Sequence, residues 1–339
     1  MMRAALIGLG MVSKTYADAF RNSQTVQLGA VHARSAASVA AFRAANPDLD
    51  APAASLADIA ADPTIDFVIL TTPPDARAAI VDLMSAAGKP ILMEKPLERT
   101  LPAATALVEM CEARGVPLGI MLQNRTRPVV ADLRRVLEGL GPLRMVEVNV
   151  PWWRPQSYYD QPGRGTYARD GGGVLISQAI HTLDLMLSLT GPVASVTALV
   201  ATTGQHEMEA EDFVAAGLRF ANGAVGQMFA TTASFPGRGE TITLHCAAGS
   251  AHLETGVLRV DRADGSTQTI GQPASSGSGA DPMAFTSDWH RWVIEDFAAS
   301  LTARRPPLVT GRSALAVHAL IAALEKSGQT GAQVHLNGE

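Results

Sequence analysis

The sequence predicts an α/β protein: an N-terminal domain on a doubly wound parallel sheet, then an α+β domain with an open, mostly antiparallel sheet. In the first third, short apolar runs alternate with segments of helical length, which is typical of βαβ units. Beyond residue 123, strand-like segments follow one another with short polar turns, which favours an antiparallel sheet. A chain of 339 residues is long enough for two cores, and we expect domains over residues 1–122 and 123–339.

Five strands of the first domain are predicted from short apolar runs, because a parallel sheet is covered by helices on both faces. These runs are residues 4–7, 26–31, 66–70, 90–93 and 118–121. Helices are predicted between them, and Gly88 and Gly115 follow the ends of two. They span residues 11–21, 36–45, 76–87 and 101–114.

In the second domain, alternation of apolar and polar residues predicts six strands. They are residues 144–150, 193–200, 213–220, 224–232, 241–245 and 257–261. A helix over 128–139 precedes them, and a long apolar helix over 174–189 ends before Gly191. Two further helices, over 285–302 and 312–326, are predicted near the C-terminus.

Composition and charge exclude several classes of protein. Hydrophobic residues make up 47% and charged residues 17%, which is an ordinary globular balance. The formal net charge of −5 argues against a nucleic-acid partner, which requires a basic face. No stretch of about 18 apolar residues occurs, so we expect no membrane-spanning segment and interpret the apolar N-terminus as a strand.

The cysteines and histidines indicate a reducing compartment and no metal. Cys111 and Cys246 are the two cysteines, and two distant thiols suit the cytoplasm, which is the expected location. The eight histidines show no spacing typical of metal ligands, so no metal site is predicted.

A glycine-rich turn, Gly8-Leu9-Gly10-Met11-Val12-Ser13, joins the first strand to the first helix. Gly8 allows the tight turn, and Gly10 lets the backbone approach a pyrophosphate at the helix N-terminus. Gly8, Gly10, Met11 and Val12 are therefore candidate cofactor-binding residues. Placed after the first strand of a βαβ run, the turn resembles the dinucleotide-binding Rossmann fold; the alternative is a structural turn in an unrelated doubly wound fold.

The end of the second strand bears on the choice of cofactor. Its sequence, His32-Ala33-Arg34-Ser35, lacks the acidic residue that holds the ribose 2′-hydroxyl of NAD. Arg34 can pair with a 2′-phosphate or stack on adenine, and Ser35 adds a neutral donor. NADP is therefore favoured over NAD; the alternative is that Arg34 is a solvated residue at a strand end.

Further motifs carry a family resemblance. They are Thr72-Pro73-Pro74, Glu94-Lys95-Pro96, Gly171-Gly172-Gly173 and His181-Thr182-Leu183-Asp184. With the glycine-rich turn, they make the chain resemble the Gfo/Idh/MocA family of sugar and inositol dehydrogenases over nearly its whole length. The resemblance implies catalytic roles for Lys95 and His181, which face one another across the cofactor cleft in that family. It also implies cofactor contacts for Thr72, Pro73, Pro74, Glu94 and Lys95.

The chemistry of these residue types agrees with that implication. Oxidising a secondary alcohol requires a hydride acceptor, a base for the hydroxyl proton and a donor for the developing alkoxide. Lys95 follows a buried strand, at the end where open α/β sheets bind ligands. His181 lies in an apolar helix behind a glycine run that lets substrate approach. Taken alone, such a histidine is more often a core residue.

Two positions depart from the family pattern. Members with the fullest inositol-dehydrogenase pattern carry Asp four residues before the histidine, where this chain has Ser177, followed by Gln178. Either the Lys95–His181 pair suffices, or Ser177 and Gln178 position the substrate. At Arg77, many relatives carry histidine.

Aromatic and basic residues over 151–159 narrow the substrate class. This segment resembles a subgroup that includes enzymes oxidising the 3-hydroxyl of UDP-N-acetylglucosaminuronate. Trp153, Arg154 and Tyr158 suit a sugar face and its hydroxyl or carboxylate groups, and Asn124 is a further candidate at the domain junction. The alternative is that the aromatic segment packs against a second subunit.

These patterns predict an NAD(P)-dependent oxidoreductase that transfers a hydride between a nicotinamide and a secondary hydroxyl of a sugar, sugar acid or polyol. Two alternatives stay open: a nucleotide-sugar 3-dehydrogenase, and a non-catalytic regulator that senses a dinucleotide or sugar. Retention of Lys95 and His181 argues against a sensor, which needs no proton acceptor. Because family members commonly pair through the open C-terminal sheet, a homodimer or homotetramer is expected.

Overall fold

The computed structural model of the chain describes residues 1–336, which form two compact units. The first contains Met1–Gln123 and Thr286–Leu315, and the second contains Asn124–Phe285 and the chain from Ala316 onward. The sequence predicts one change of domain, after residue 122. The structure differs in that residues 286–315 return to the first unit.

The first unit is built on a five-stranded sheet. Its strands are β1 (Met2–Ile7), β2 (Val26–His32), β3 (Phe67–Leu70), β4 (Ile91–Glu94) and β5 (Leu118–Met121). They lie in the order β2-β1-β3-β4-β5, and every neighbouring pair is parallel. The helices are α1 (Ser13–Asn22), α2 (Ala36–Ala45), α3 (Leu56–Ala61), α4 (Arg77–Ala86) and α5 (Leu101–Ala113). The predicted parallel sheet is confirmed; α3 is an addition.

Aromatic packing explains why residues 286–315 join the first unit. Phe297, on a later helix (Asp288–Ala303, α9 in chain order), is fully buried. It packs edge-on against Phe67 of β3, with 5.3 Å between ring centroids. A Cβ at Gly119 of β5 would lie 2.6 Å from the Phe297 ring, so this close approach requires glycine. The contact joins positions far apart in sequence, and no local pattern reveals it.

The second unit is built on a nine-stranded sheet. Its strands are β6 (Leu143–Pro151), β7 (Val193–Ala201), β8 (Phe213–Phe220), β9 (Val225–Thr231), β10 (Thr241–Cys246), β11 (Gly249–Glu254), β12 (Val257–Arg262), β13 (Thr267–Gly271) and β14 (Val334–His335). Their order is β13-β12-β11-β10-β6-β9-β8-β7-β14. Neighbours are antiparallel except for β6 and β9. The predicted mostly antiparallel sheet is confirmed.

The helices of the second unit are α6 (Pro128–Leu140), α7 (Gln156–Tyr159), α8 (Ile180–Thr190) and the part of α10 (Gly311–Thr330) that follows Leu315. Over residues 1–336, no helix is both long and apolar enough to cross a membrane. The predicted helices at 128–139 and 174–189 correspond to α6 and to the segment ending in α8.

The segment that leads into α8 is not a regular α-helix. Leu175–Ala179 form a π-helical turn, where the sequence predicts one continuous helix. The Glu211 carboxylate accepts hydrogen bonds from the amides of Gly173 and Leu175, both at 3.0 Å. A Cβ at Gly173 would lie 1.7 Å from the carbonyl oxygen of Glu211. The close approach at this glycine is therefore to the protein's own backbone, not to a substrate.

Candidate active site

The glycine-rich turn at the end of β1 has the geometry of an anion-binding loop. Gly8 adopts φ +107°, and a Cβ there would lie 2.8 Å from the backbone of Thr71 and Thr72. A Cβ at Gly10 would meet no atom within 4 Å, so space is open above the turn. Helix α1 begins at Ser13 without a side-chain cap. Its N-terminal amides are therefore suited to an anion.

The other predicted cofactor-binding residues near this turn differ in solvent exposure. Met11 is exposed and Val12, the residue before α1, is half-buried. Arg34 and Ser35 follow β2 and are exposed. The Ser35 hydroxyl accepts a hydrogen bond from the Ser38 amide at 3.4 Å and so caps α2. Neither residue after β2 introduces a negative charge that would repel a phosphate.

Two loops follow β3 and β4 at the same edge of the sheet. Thr72-Pro73-Pro74 leads into α4, and the Thr72 hydroxyl is buried without a hydrogen-bond partner among the described residues. Residues 94–97, which we call the Lys95 turn, carry Lys95 half-buried and contain a cis Lys95–Pro96 bond. The C-terminal ends of parallel strands thus gather the predicted cofactor and catalytic residues of the first unit.

A buried arginine joins these two loops. Arg77, the first residue of α4, is 2% exposed. Its guanidinium donates to the Thr72 carbonyl oxygen and to carbonyl oxygens of the Lys95 turn. Burial lowers the pKa of Arg77 to about 10. The sequence marks Arg77 as a departure from relatives but does not show these contacts.

Glu94 is engaged by protein groups at both carboxylate oxygens. Oε1 accepts from the Tyr16 hydroxyl at 2.9 Å and lies 3.5 Å from Nε2 of His290. Oε2 accepts from the Lys95 amide at 3.1 Å. Burial alone would raise the pKa of Glu94, but His290, Lys95 and Tyr16 together hold the pKa below its ordinary value. Glu94 therefore supports the Lys95 turn; sequence reasoning missed Tyr16 and His290.

In the second unit, Gln178 projects from the π-helical turn. Gln178 is 4% exposed, and its amide nitrogen lies 3.5 Å from the Tyr158 hydroxyl, the limit for a hydrogen bond. Its Oε1 is buried without a partner among the described residues. Ser177 and His181 are half-buried, and Asn124 is 3% exposed. Gln178 and Tyr158, both predicted substrate residues, are thus brought together.

Asp184, three residues beyond His181, is committed to an ion pair. Its Oδ2 accepts from Nε of Arg125 at 2.7 Å, and its Oδ1 from Nη2 of the same side chain. Burial raises the pKa of Asp184, and Arg125 opposes that shift. The carboxylate nearest to His181 in the sequence is therefore already paired with Arg125.

The segment from Trp152 to Tyr159, which we call the Arg154 loop, concentrates aromatic and cationic groups. Arg154 is 2% exposed and donates to the carbonyl oxygens of Trp153 and Gly279 at 2.8 and 2.6 Å. Its Nε is buried without a partner among residues 1–336. The guanidinium carbon lies 5.7 Å from the Tyr158 ring centroid, and that of Arg164 lies 4.9 Å from the same ring. Burial lowers the pKa of Arg154, and the charge of Arg164 adds to this.

Contacts with other side chains of the second unit hold the rest of the Arg154 loop in place. His206 is fully buried, with Nδ1 2.8 Å from an Asp212 carboxylate oxygen and Nε2 2.8 Å from the Arg154 carbonyl oxygen. Trp153 is half-buried and packs edge-on against Phe235 at 5.3 Å between centroids. Sequence reasoning missed His206, because its link to Arg154 spans 52 positions.

Within the described residues, no group of three or more His, Cys, Asp or Glu side chains is placed to hold a metal ion.

Two family models match the chain. One, described as an oxidoreductase family with an NAD-binding Rossmann fold, matches residues 2–121. The other, a Gfo/Idh/MocA C-terminal domain, matches residues 130–252. The chain belongs to the Gfo/Idh/MocA oxidoreductase family. The resemblance expected from its motifs is confirmed.

Similar proteins include sugar and polyol dehydrogenases. The chain is 28% identical to D-apiose dehydrogenase of Paraburkholderia graminis over 204 residues, which are 58% of this chain and 52% of that protein. It is 31% identical to myo-inositol dehydrogenase Hyg17 of Streptomyces leeuwenhoekii over 195 residues, 56% of each. The chain thus spans little more than half the length of these curated relatives.

A solved structure covers more of the chain. It is the WlbA dehydrogenase of Bordetella pertussis in complex with NADH and UDP-GlcNAcA. The two structures superimpose with a TM-score of 0.83 over 100% of this chain and 99% of that one, at 28% sequence identity.

Proposed function

We propose that this protein is an NAD(P)-dependent dehydrogenase acting on a secondary hydroxyl of a sugar, sugar acid or polyol. The observation that carries the proposal is the Lys95 turn. It presents an amine at the C-terminal edge of a dinucleotide-type sheet, on a main chain held by buried polar contacts. Membership of an oxidoreductase family supports the same class of reaction.

The first unit fits a dinucleotide at this edge. Gly8 and Gly10 leave room for a pyrophosphate beside the uncapped N-terminus of α1. The buried Thr72 hydroxyl, which lacks a protein partner among residues 1–336, offers a hydrogen bond beside that turn. When bound, the nicotinamide supplies the hydride acceptor.

Lys95 accepts the hydroxyl proton, and His181 is a second candidate catalytic residue. An amine can act as this base only in its neutral form, so turnover in the oxidative direction should rise with pH. Ser177 stands where some relatives carry a carboxylate, and Asp184 is held by Arg125. Neither residue offers an uncommitted carboxylate to the proton, and this supports Lys95 as the acceptor.

The exposed Arg34 supports NADP over NAD. A guanidinium can pair with the 2′-phosphate of NADP, which NAD lacks. Changing Arg34→Ala should raise the KM for NADP by about tenfold, as expected for the loss of one charge-assisted hydrogen bond, and leave that for NAD unchanged. Equal effects on both cofactors would show that Arg34 does not discriminate between them.

A second candidate, a nucleotide-sugar 3-dehydrogenase, is favoured by the two cations on Tyr158. Arg154 is buried, close to Arg164, and bonded to neutral carbonyl oxygens. A buried cation beside another cation is stabilised by an anionic ligand. The uronate and diphosphate of UDP-GlcNAcA, bound by the similar WlbA structure, are anions of this kind.

The test is a steady-state screen of inositols, neutral sugars, sugar acids and UDP-sugars with NAD and with NADP. We expect reduced cofactor to form with at least one sugar acid or UDP-sugar acid. Tight cofactor binding with no turnover on any substrate would favour a dinucleotide sensor. No binding of either cofactor, measured by calorimetry, would reject both proposals.

We also propose that the nine-stranded sheet forms a homodimer or homotetramer contact. Met145 on β6, Val225 on β9 and Leu199 on β7 are 39%, 45% and 63% exposed, which is unusual for large apolar residues on a sheet. Sedimentation equilibrium should give an oligomer for the wild type and a smaller species for Leu199→Lys. A monomeric wild type would contradict the proposal.

A further inference from the structure

Arg77 donates hydrogen bonds to several backbone carbonyl oxygens outside its own helix. Nε and Nη2 donate to the Thr72 carbonyl oxygen at 3.0 and 2.8 Å. Nη1 donates to the Glu94 carbonyl oxygen at 2.6 Å, to that of Pro96, and to that of Leu97 at 3.5 Å. We call Arg77 and these carbonyl groups the Arg77 clamp.

The Arg77 clamp holds the main chain on both sides of Lys95. The Glu94 carbonyl belongs to the peptide plane whose N–H is that of Lys95. That N–H in turn donates to the Glu94 carboxylate at 3.1 Å. This peptide plane is therefore fixed at its oxygen by Arg77 and at its nitrogen by Glu94, and the Pro96 carbonyl fixes the next residue.

The same clamp ties the Lys95 turn to the loop after β3. Thr72, which accepts two of the guanidinium hydrogen bonds, also carries the buried hydroxyl without a partner among the described residues. One side chain thus sets the spacing between a hydroxyl and an amine that both lie at the ligand-binding edge. A planar group with five fixed donors suits this task, whereas an ammonium or an imidazole offers fewer directed donors.

We propose that Arg77 is a positioning residue for Lys95, and that its contacts with the carbonyl oxygens of 72, 94, 96 and 97 orient the amine for proton transfer. This inference rests on the proposed function. Small misplacements of a catalytic group lower kcat strongly, about 10²-fold for 1 Å. Loss of the clamp should therefore reduce kcat more than it weakens ligand binding.

A double-mutant cycle with Lys95 tests the proposal. Arg77→Lys keeps the charge but loses the fork of donors, and we expect kcat to fall about 10- to 100-fold with the cofactor Kd changed less than about threefold. In the Lys95→Met background, where we expect slow residual turnover, Arg77→Lys should change kcat less than about threefold, because residues that act as a unit are not additive. The same fold loss in both backgrounds would overturn the proposal.

Hydrogen–deuterium exchange of the protein without ligands gives a readout independent of activity. Arg77→Lys should speed exchange of the amides of Lys95 and of residues 97–99 by about tenfold and leave peptides of the second unit unchanged. Arg114→Lys is the matched control, since Arg114 binds Ser85 and Asp82 at the other end of α4. That control should alter neither residues 95–99 nor kcat.

The two readouts separate the possible failures. Wild-type protein without turnover on any substrate rejects the proposed function, while faster exchange at 95–99 still establishes the clamp. Unchanged exchange at 95–99 in Arg77→Lys rejects the positioning role even if the wild type is active. If Arg77→Lys does not fold, Arg77→His takes its place with the same expected pattern, since an imidazole also lacks the fork of donors.

Discussion

The Lys95 turn and the Arg154 loop are two polar regions built in opposite ways. Around Lys95, the Glu94 carboxylate and the Arg77 guanidinium are bound by protein groups. In the Arg154 loop and its neighbour Gln178, two polar atoms, Arg154 Nε and Gln178 Oε1, are buried without a partner among the described residues. The polar groups named in the first region are satisfied within the protein, and we propose that a ligand satisfies those of the second.

The difference follows from what each region has to do. A proton acceptor works best when its geometry is fixed before the substrate arrives. A recognition site instead keeps donors and acceptors for the ligand, although each unpartnered buried atom costs about 1–3 kcal/mol in the free protein. A ligand bound there would restore those hydrogen bonds, so we propose that affinity and specificity are concentrated in this region.

The largest expected effect comes from the Lys95 turn. Lys95→Met should lower kcat about 10²- to 10⁴-fold, because the hydroxyl proton loses its acceptor, while the cofactor Kd should change far less, by about threefold at most. Steady-state kinetics and calorimetry measure the two quantities. Lys326→Met, at an exposed position on α10, is the control and should match the wild type. Undiminished turnover in Lys95→Met would remove the distinction between the regions.

Substitutions of arginines in and next to the Arg154 loop should change the KM for the substrate. Arg154→Met and Arg164→Met should each raise the KM for an acidic sugar about 10- to 100-fold, the value of one charge-assisted hydrogen bond, with little change for a neutral sugar. Arg169→Met, in the adjacent turn, is the control. A fall in kcat with unchanged KM would show that these arginines act on chemistry and not on recognition.

Stability should distinguish the Lys95 turn from the surface. Tyr16→Phe removes a hydrogen bond to the buried Glu94 carboxylate and should lower the free energy of unfolding by about 2 kcal/mol. Tyr167→Phe, at a position that is 44% exposed, should change it by less than about 0.5 kcal/mol. Urea denaturation measures both. Equal values would mean that the Glu94 contacts add nothing to the Lys95 turn.

A smaller, pH-dependent effect on stability is expected from Glu325, next to the π-helical turn. Burial and the neighbouring Glu211 raise the pKa of Glu325 from 4.5 to about 7. The folded protein therefore binds this proton more tightly than the unfolded chain, and stability falls as pH rises from about 4.5 to 7. Glu325→Gln should raise the free energy of unfolding by about 1–2 kcal/mol at about pH 8, and by much less at about pH 5. The exposed Glu138→Gln is the control; a pH-independent difference would contradict the assignment.

Local patterns predicted most of the fold. The strands of the first unit are short apolar runs because helices cover both faces of the sheet, and all five were predicted. By contrast, β13 is largely polar and exposed, and β11 starts with glycine, so neither shows the alternation that marks a strand. The return of residues 286–315 to the first unit depends on Phe297 packing, which is a long-range contact.

The sequence motifs pointed to the candidate site, but they did not reveal the side chains that hold its residues in position. Lys95 and Thr72 belong to recognisable motifs, and Gln178 lies beside a position at which one of these motifs is altered. Tyr16 and His290 reach Glu94 from 78 and 196 positions away in the sequence, and Arg77 reaches it across 17. Contacts of that kind depend on how the chain folds back, so the sequence names the candidate reacting groups and the structure shows what surrounds them.

The most direct measurement is the fate of the hydrogen on the carbon that bears the substrate hydroxyl. The active substrate from the screen is prepared with deuterium at that carbon, and the reduced cofactor is analysed by mass spectrometry. Transfer of the deuterium to the nicotinamide, lost in parallel with turnover in Lys95→Met, is the expected result. Reduced cofactor without deuterium, or deuterium transfer at the full rate in Lys95→Met, would contradict a hydride transfer that depends on the Lys95 turn.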